Sequence, residues 1–322
     1  MSHESMLVII IVSWNVRELL RACLQSLLNF PASALRQEII VVDNASSDGS
    51  GEMVRNEFPT VHVIANSTNK GFTGGNNDGL RLADGLIAET THADTDHFLF
   101  LLNPDTEVQP GALDTLSAYA NANPSVGLIG PRLSYADHSL QSSRRRFPTL
   151  RVALFESTWW QRFAPHYVLD QFYMRDKADD EACEVDWVVG AAMFVRYAAY
   201  QQAGQLDEAN FFMYSEETDW CKRMKDAGWR VAYLPQAEVV HYEGRSSGQV
   251  SAQRMRLFNT SKVRYFAKHH GAGQAGFLRL WLLGQFAWQM GLESVKFLLG
   301  NQREMRGERI QAYWGVLRTG LR

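Results

Sequence analysis

The sequence predicts an α/β protein, a Rossmann-like and mostly parallel sheet with helices on both faces, followed by a helical, basic C-terminal tail. Three observations carry that reading. Apolar, β-branched runs alternate with helical spacings through the first half of the chain, the first four runs each end in polar residues, and charge divides sharply near residue 250. From Ser251 to Arg322 there are 12 Lys and Arg against 3 acids, whereas the residues before them carry 20 against 32. The division predicts two regions with different work, 1–248 and 249–322.

The elements follow in order. "MLVIIIVSWN" is a strand, and "RELLRACLQSLL" after it sets Leu20, Cys23, Leu24 and Leu27 at helical spacing. "QEIIVVDNASSDGSGEMVRNEF" repeats the plan, with a strand through Val42, Asp43 at its end, a turn of Asn, Ser, Asp and Gly, and a short helix. "VHVIANSTNKGFTGGNNDGLRLADGL" gives a third strand, a Gly/Asn loop and a third helix, and "HFLFLLNPD" a fourth strand that stops at Asn103-Pro104-Asp105. "PGALDTLSAYANANPSVGLIGPRLSY" reads as helix, turn and strand. Between Gln141 and Val185 no period is sustained, so long mobile loops are expected there, with Arg144 to Arg146 on a solvated face or in contact with phosphate.

The second half resumes with "VDWVVGAAMFVRYAAYQQAG", a strand whose Gly190, Ala191 and Ala192 allow close approach of backbone to a ligand, then a helix. "SEETDWCKRMKDAGW" has the marks of a helix: Ser215 as cap, Glu216, Glu217 and Asp219 in the first turn, Lys222, Arg223 and Lys225 later, and Gly228 as stop. "AEVVHYEG" is a short strand ending in His241.

Composition bounds the function. With 46% hydrophobic and 21% charged residues over 322 positions, the chain has the make-up of a globular enzyme. Cys23, Cys183 and Cys221, odd in number and far apart, suggest neither a disulfide framework nor a zinc site and fit a reducing compartment. The start lacks a basic n-region, which predicts a cytoplasmic catalytic part. An acidic body argues against a general nucleic-acid binder.

In open sheets ligands sit outside the carboxyl ends of the strands. Ser13 and Asn15, Asp43, Asn69 and Lys70, and Asn103 and Asp105 all fall there. Each has a bland reading. Asp43 can bond turn amides, "NKGFTGGNNDG" lacks the spacing of a phosphate loop, and the acids of "SEETD" can simply complement a helix dipole. Convergence on one edge favours a site, in which free amides beside Lys70 would attract a diphosphate.

In order along residues 6 to 245, "VSWN", "VVDNASSDGS", "NKGFTGGNN", "LLNPD", "VVGAAMFVR", "FFMYSEETDWCKRMKDAGW" and "VVHYEG" resemble the inverting family 2 glycosyltransferases of GT-A fold, in particular the bacterial rhamnosyltransferase branch. The resemblance implies that Asp43 contacts the nucleotide base and that Ser13, Asn15 and the Asn69 to Gly75 loop, with Lys70, Gly71 and Gly74, shape the donor site together with Asn103. It implies that Asp105 and His241 hold a divalent cation, Mg²⁺ or Mn²⁺, and that Glu217 is the catalytic base, where many members carry Asp. Many members also have Asp-x-Asp where this chain has Asn103-Pro104-Asp105, so one carboxylate is replaced by a neutral amide. The QxxRW sequence of processive synthases is missing, which argues for addition of one or a few sugars.

The implied reaction moves a sugar from a nucleotide-sugar donor, dTDP-L-rhamnose by resemblance and UDP- or GDP-sugars as alternatives, to a hydroxyl of a glycan or polyprenyl-linked glycan. The rival from another class is a non-catalytic nucleotide- or glycan-binding protein, which sugar release from a donor would separate. In the tail, Gln285, Gln289, Glu293 and Lys296 form a narrow polar stripe on the otherwise apolar "FLRLWLLGQFAWQMGLESVKFLL". With basic segments around it, the stretch predicts an interfacial helix and peripheral contact with the inner face of the cytoplasmic membrane. A homodimer contact and a membrane span are the alternatives.

Overall fold

The computed structural model describes residues 5–89, 96–242, 251–300 and 302–322. The chain opens with β1 (Met6–Ser13), α1 (Arg17–Asn29), β2 (Arg36–Asp43), α2 (Ser50–Glu57), β3 (His62–Ala65), α3 (Gly71–Ala88), β4 (Phe98–Leu102) and β5 (Thr106–Val108). It continues with α4 (Ala112–Ala122), β6 (Val126–Ser134), β7 (Leu140–Gln141), β8 (Arg144–Arg145), α5 (Leu150–Phe155), a 3₁₀ turn (Trp159–Phe163) and α6 (His166–Phe172). Then come β9 (Cys183–Val185), β10 (Trp187–Val188), β11 (Ala192–Arg196), α7 (Tyr197–Ala203), α8 (Glu216–Asp226) and β12 (Arg230–His241). The last helices are α9 (Ser251–His270), α10 (Ala272–Leu298) and α11 (Arg303–Thr319).

Among the described residues ten strands form one sheet in the order β3-β2-β1-β4-β11-β6-β12-β5, with β7 beside β6 and β9 beside β12. The strands β3, β2, β1 and β4 are parallel neighbours, β11 runs against both β4 and β6, and β6 is parallel to β12. Hence β3, β2, β1, β4, β6 and β12 share one direction and one carboxyl edge. The unbroken apolar run of β1 follows from burial on both faces. Leu7, Ile9 and Ile11 pack with α1, α2 and α4 through Leu24, Val54 and Leu116. Met6, Val8 and Ile10 pack with α3, α7 and α8 through Leu80, Tyr200 and Trp220. This is the expected sheet with helices on both faces.

Two elements depart from their expected form. In place of a short strand before His241, β12 is twelve residues long, and its register shifts between Leu234 and Glu238. Pro235 lies inside that shift and cannot donate to a ladder, so the sequence reads only the piece after it, "AEVVHYEG", as a strand. Between Gln141 and Val185 the chain holds short strands and helices in place of long loops. Thr149 caps α5 by accepting from the Val152 amide at 3.3 Å, and Thr158 accepts from the Trp160 amide at 3.2 Å. Helices of six, five and seven residues are too short for a period to show.

The chain divides into two compact units. The first is the sheet with its helices. The second joins residues 148–172 and 209–215 to α9, α10 and α11 around Phe211, Phe266, Leu278, Leu282 and Val316. The expected boundary at 248 and 249 lies outside the described residues.

Within the second unit α10 buries polar residues beside its core leucines Leu278 and Leu282. Gln285 and Glu293 of its polar stripe are buried. The Trp159 amide donates to Gln285 Oε1 at 3.2 Å, and Arg306 pairs with Glu293. Phe277, Leu280, Trp288, Val295 and Leu298, at spacings of three, seven or eight that keep them on one side of the helix, face solvent, with Leu280 71% and Leu298 76% exposed. Besides the apolar residues it buries, the helix therefore presents a second apolar row outward. No helix of the described residues is long and apolar enough to cross a membrane.

Candidate active site

Strand register collects the expected residues. Ser13 pairs with Asp43 at the ends of β1 and β2, and Ile11 pairs with Leu102 one step before Asn103. Leu102 pairs with Ala192, and the Asn103 amide donates to the Ala191 carbonyl at 2.9 Å, so the start of the antiparallel β11 reaches the same edge. Thr106 pairs with His241, and the Tyr242 amide donates to the Asp105 carbonyl at 2.9 Å. The Asn103-Pro104-Asp105 turn thus leaves β4 and enters β5 with its acid beside the end of β12.

Asp105 is 2% exposed, and His241 Nε2 lies 3.4 Å from its Oδ1. The other ring nitrogen, Nδ1, is 2.9 Å from Gln141 Oε1. An amide oxygen can only accept, so Nδ1 carries a proton, and Nε2 is the ring nitrogen turned toward the acid. This is the second-shell arrangement that orients a metal-binding imidazole. An oxygen and a nitrogen at this spacing match two neighbouring ligands of one small divalent cation, each about 2.0–2.3 Å away. Among the described residues no group of three His, Cys, Asp or Glu side chains is placed to hold a metal. The protein would therefore supply two ligands, and the donor set fits a cation that completes its sphere from phosphate and water.

Around Asp43 the loops are tied together. Asn15, in left-handed backbone at φ 54°, accepts from the Ser47 amide at 2.7 Å, while its own amide donates to Ser46 Oγ at 3.0 Å. Asp43 Oδ1 accepts from the Ser46 amide at 3.0 Å. A Cβ at Gly51 would stand 2.4 Å from Asp43 Oδ2, so α2 starts directly against that carboxylate. Buried Asn44 donates to Asn69 Oδ1 at 3.1 Å and to the Gly71 carbonyl at 2.8 Å, and accepts from the Lys70 amide at 3.1 Å. Asn69 in turn accepts from the Gly71 amide at 2.8 Å, and Gly71 is left-handed at φ 73°. The hydroxyls of Ser13 and Thr73 are buried without a hydrogen bond among the described residues.

Lys70 is committed more than the sequence suggests. Its ammonium pairs with Asp78 at 2.8 Å. Burial acts to raise the Asp78 carboxyl, but hydrogen bonds from Lys70, Asn66 and Arg81 outweigh it and hold the group below its ordinary value. The glycines also serve packing. A Cβ at Gly75 would stand 2.6 Å from Val12, at Gly79 2.4 Å from Ile10, and at Gly74 2.9 Å from Lys70 Cβ. Close contact of α3 with β1 accounts for the first two.

Three acids open α8, and their environments differ. Asp219 is fully buried and accepts from Arg223 Nε at 2.8 Å. Glu216 is buried, and burial first, then the Glu217 charge, push its carboxyl well above the usual range. Glu217 is half-buried, and a Cβ at Gly190 would stand 3.5 Å from Glu217 Cβ and 3.7 Å from Phe72 Cζ. Gly190 thus lies at ordinary contact distance from both Glu217 and the first turn of α3, at the start of β11. Tyr214 and Ser215 before the helix are both left-handed, at φ 72° and 67°, so Ser215 lacks the extended backbone of a side-chain cap. At the other end the Gly228 amide reaches the Lys225 carbonyl and the Trp229 amide the Met224 carbonyl, each at 3.0 Å, which is the Schellman stop expected at Gly228.

The sequence reading missed Asn44, Gly51 and Gln141. Asn44 had a signal in its place beside Asp43, whereas Gln141 meets His241 across 100 residues and left none.

A model of the family described as glycosyl transferase family 2 matches residues 8–182, more than half of the chain. The chain belongs to that family. Within it, the chain is similar to an N-acetylglucosaminyl-diphospho-decaprenol L-rhamnosyltransferase of Mycobacterium tuberculosis, 28% identical over 249 residues, 77% of this chain and 80% of that protein. Rhamnosyltransferase WbbL of Escherichia coli strain K12 is 30% identical over 96 residues, 30% of this chain and 36% of that protein. The mannosyltransferase PcManGT from Pyrobaculum calidifontis, in complex with GDP-Man and Mn²⁺, superposes with TM-score 0.54 at 15% identity, over 99% of this chain and 86% of that one. GalNAc-T7 with UDP, GalNAc and Mn²⁺ gives TM-score 0.57 at 14% identity, over 83% of this chain, which spans about half (48%) of that one. At such identities the structures carry the fold alone, and it is the GT-A glycosyltransferase fold.

Proposed function

We propose that this family 2 glycosyltransferase moves L-rhamnose, with inversion, from dTDP-rhamnose to a hydroxyl of a polyprenyl-linked glycan at the inner face of the cytoplasmic membrane. The observation that carries the reading is that the Asp105 and His241 pair, Asp43 and Glu217 all stand at the carboxyl edge of one sheet. Sugar and acceptor follow from the two rhamnosyltransferase relatives, one of which names a decaprenyl-linked acceptor.

Asp43 and the Asn15, Ser46 and Asn44 loops would hold the nucleoside, while Ser13, Asn69, Gly71 and Gly74 shape the donor path beside Asn103. Asp105 and His241 would bind a divalent cation, Mg²⁺ or Mn²⁺, whose charge would offset the one that grows on the departing diphosphate. Glu217 would take the proton of the acceptor hydroxyl as it attacks the anomeric carbon from the face opposite the diphosphate, and the geometry of that attack inverts the centre. Lys70 is paired with Asp78, so a phosphate role for it requires exchange of that partner.

The test measures sugar release and transfer from dTDP-rhamnose, UDP-glucose and GDP-mannose, with Mn²⁺ and with chelator. Rhamnose transfer from dTDP-rhamnose that the chelator stops, and that Glu217→Gln lowers by about 10²-fold or more with donor binding intact, is the expected result. Turnover by Glu217→Gln close to that of the parent would remove Glu217 from the role. Turnover from another donor alone would replace the sugar assignment.

A further inference from the structure

The 3₁₀ turn Trp159–Phe163 gathers aromatic side chains for which the transfer chemistry above has no use. We propose that this turn docks on an anionic phospholipid surface, with Trp160 and Phe163 entering the headgroup layer and Arg162 taking a lipid phosphate. The membrane setting rests on the function proposed above, whereas the docking surface stands on its own geometry.

The turn is built within the second unit and fastened to α10 at two points. The Trp281 indole N–H donates to the Leu154 carbonyl at 3.0 Å, and Gln285 holds the Trp159 amide. Thr158 Oγ1, just before the turn, donates to the Phe155 carbonyl at 2.8 Å. On this base the rings of Trp159, Trp160 and Phe163 lie 5.0 to 5.8 Å from one another, and Trp160 lies 5.8 Å from Trp281. Phe163 is nevertheless 57% exposed. Apolar side chains clustered at a surface mark a place of contact.

Trp281 is also where the turn meets the outward row of α10. At about 100° per residue it stands about 40° from Phe277 and about 20° from Trp288 around the helix axis. The turn therefore borders that row, and the two make one apolar surface.

Charge selects the occupant. The Arg162 guanidinium lies 3.7 Å over the Trp159 ring and 5.0 Å over that of Phe163, and among the described residues it makes no hydrogen bond and no ion pair. Stacking uses the flat face of the group and leaves its in-plane N–H donors, whose fork matches the oxygens of a phosphate. Indole and phenyl rings beside such a cation suit the headgroup layer. The 12 cations against 3 acids from Ser251 onward draw the same unit to a negative surface. A second copy of the chain would bring a tail of like charge, which favours lipid over self-association.

The test is cosedimentation of the full chain with phosphatidylcholine vesicles, with and without phosphatidylglycerol. Phe163→Ser should weaken binding to the phosphatidylglycerol vesicles about tenfold. Arg162→Gln should weaken it about fivefold and lessen its dependence on salt. Both side chains are exposed, so the variants are expected to fold with Tm unchanged. Affinities equal to that of the parent overturn the surface. A second arm reads position, through quenching of tryptophan emission by phosphatidylglycerol brominated on its acyl chains. Quenching should fall in Trp160→Phe, and unchanged quenching would place the turn outside the bilayer and overturn the assignment. Self-association that Phe163→Ser removes, with vesicle affinity unchanged, would give the turn to a second copy and overturn it as well. Both arms run without donor or acceptor. Failure of rhamnose transfer therefore leaves them unaffected, and a negative result in them leaves the transfer chemistry standing.

Discussion

Consecutive acids at the head of α8 show how position decides chemistry when residue type does not. Asp219 is spent on Arg223, Glu216 is buried with its carboxyl pushed up by burial and by the Glu217 charge, and Glu217 alone is half-buried against Gly190. Glu216→Gln is therefore expected to keep transfer within a few-fold while Glu217→Gln loses it, and the reverse pattern in a transfer assay would exchange their roles. The same substitution tests stability. Because its pKa is raised by folding, Glu216 holds a proton that the unfolded chain gives up above about pH 4.5, so the folded state loses stability as pH rises from there. Glu216→Gln removes that loss, and its gain in Tm should be larger at pH 8 than at pH 4. An equal gain at both would mean that Glu216 is ionised in the fold. The three acids were visible in the sequence as candidates, but the choice among them needed burial, which no local pattern encodes.

At the scale of elements, the strands and helices of the sheet were legible because their periods are long and their ends carry Asp, Asn or Gly. What escaped were elements whose form depends on a distant partner: β12, of which only the part after Pro235 was read as a strand, and the short helices between 148 and 172. The glycines of α3 were legible as a motif but not as to purpose. A Cβ at Gly79 meets Ile10 at 2.4 Å, whereas one at Gly85 on the same helix meets nothing within 4 Å. Gly79→Ala should cost about 1–3 kcal/mol through overpacking of α3 on β1. Gly85→Ala should gain about 0.4–1 kcal/mol, since a helix interior favours Ala. Urea unfolding of both variants measures the difference, and the same sign for both would refute close packing as the reason for Gly79.

For the whole molecule, the division of charge and the outward apolar row of α10 describe one surface property. The sequence located the polar stripe but not the side to which it turns, because the partners that bury Gln285 and Glu293, the Trp159 amide and Arg306, come from segments that the sequence does not join. With those polar groups and Leu278, Leu282 and Phe286 turned inward, the helix still shows Phe277, Leu280, Trp288, Val295 and Leu298 in a row to solvent, and Trp314 of α11 is exposed as well. A chain region with 12 cations and 3 acids that shows such a row to solvent has the two attractions that bring a helix to an anionic lipid surface. Vesicles with anionic headgroups should therefore bind the protein more tightly than neutral ones, and salt should weaken that binding. Replacing Leu280 and Trp288 together by Ser removes apolar area worth about 1.5–3 kcal/mol per side chain and should lower vesicle affinity at least tenfold. Because both side chains are exposed, Tm and transfer to a water-soluble acceptor should stay unchanged. Vesicle binding that survives the double substitution would move the contact to another surface. A concentration-dependent dimer lost in the same variant would show that this face meets a second copy of the chain, leaving the charge of the tail to account alone for any attraction to lipid.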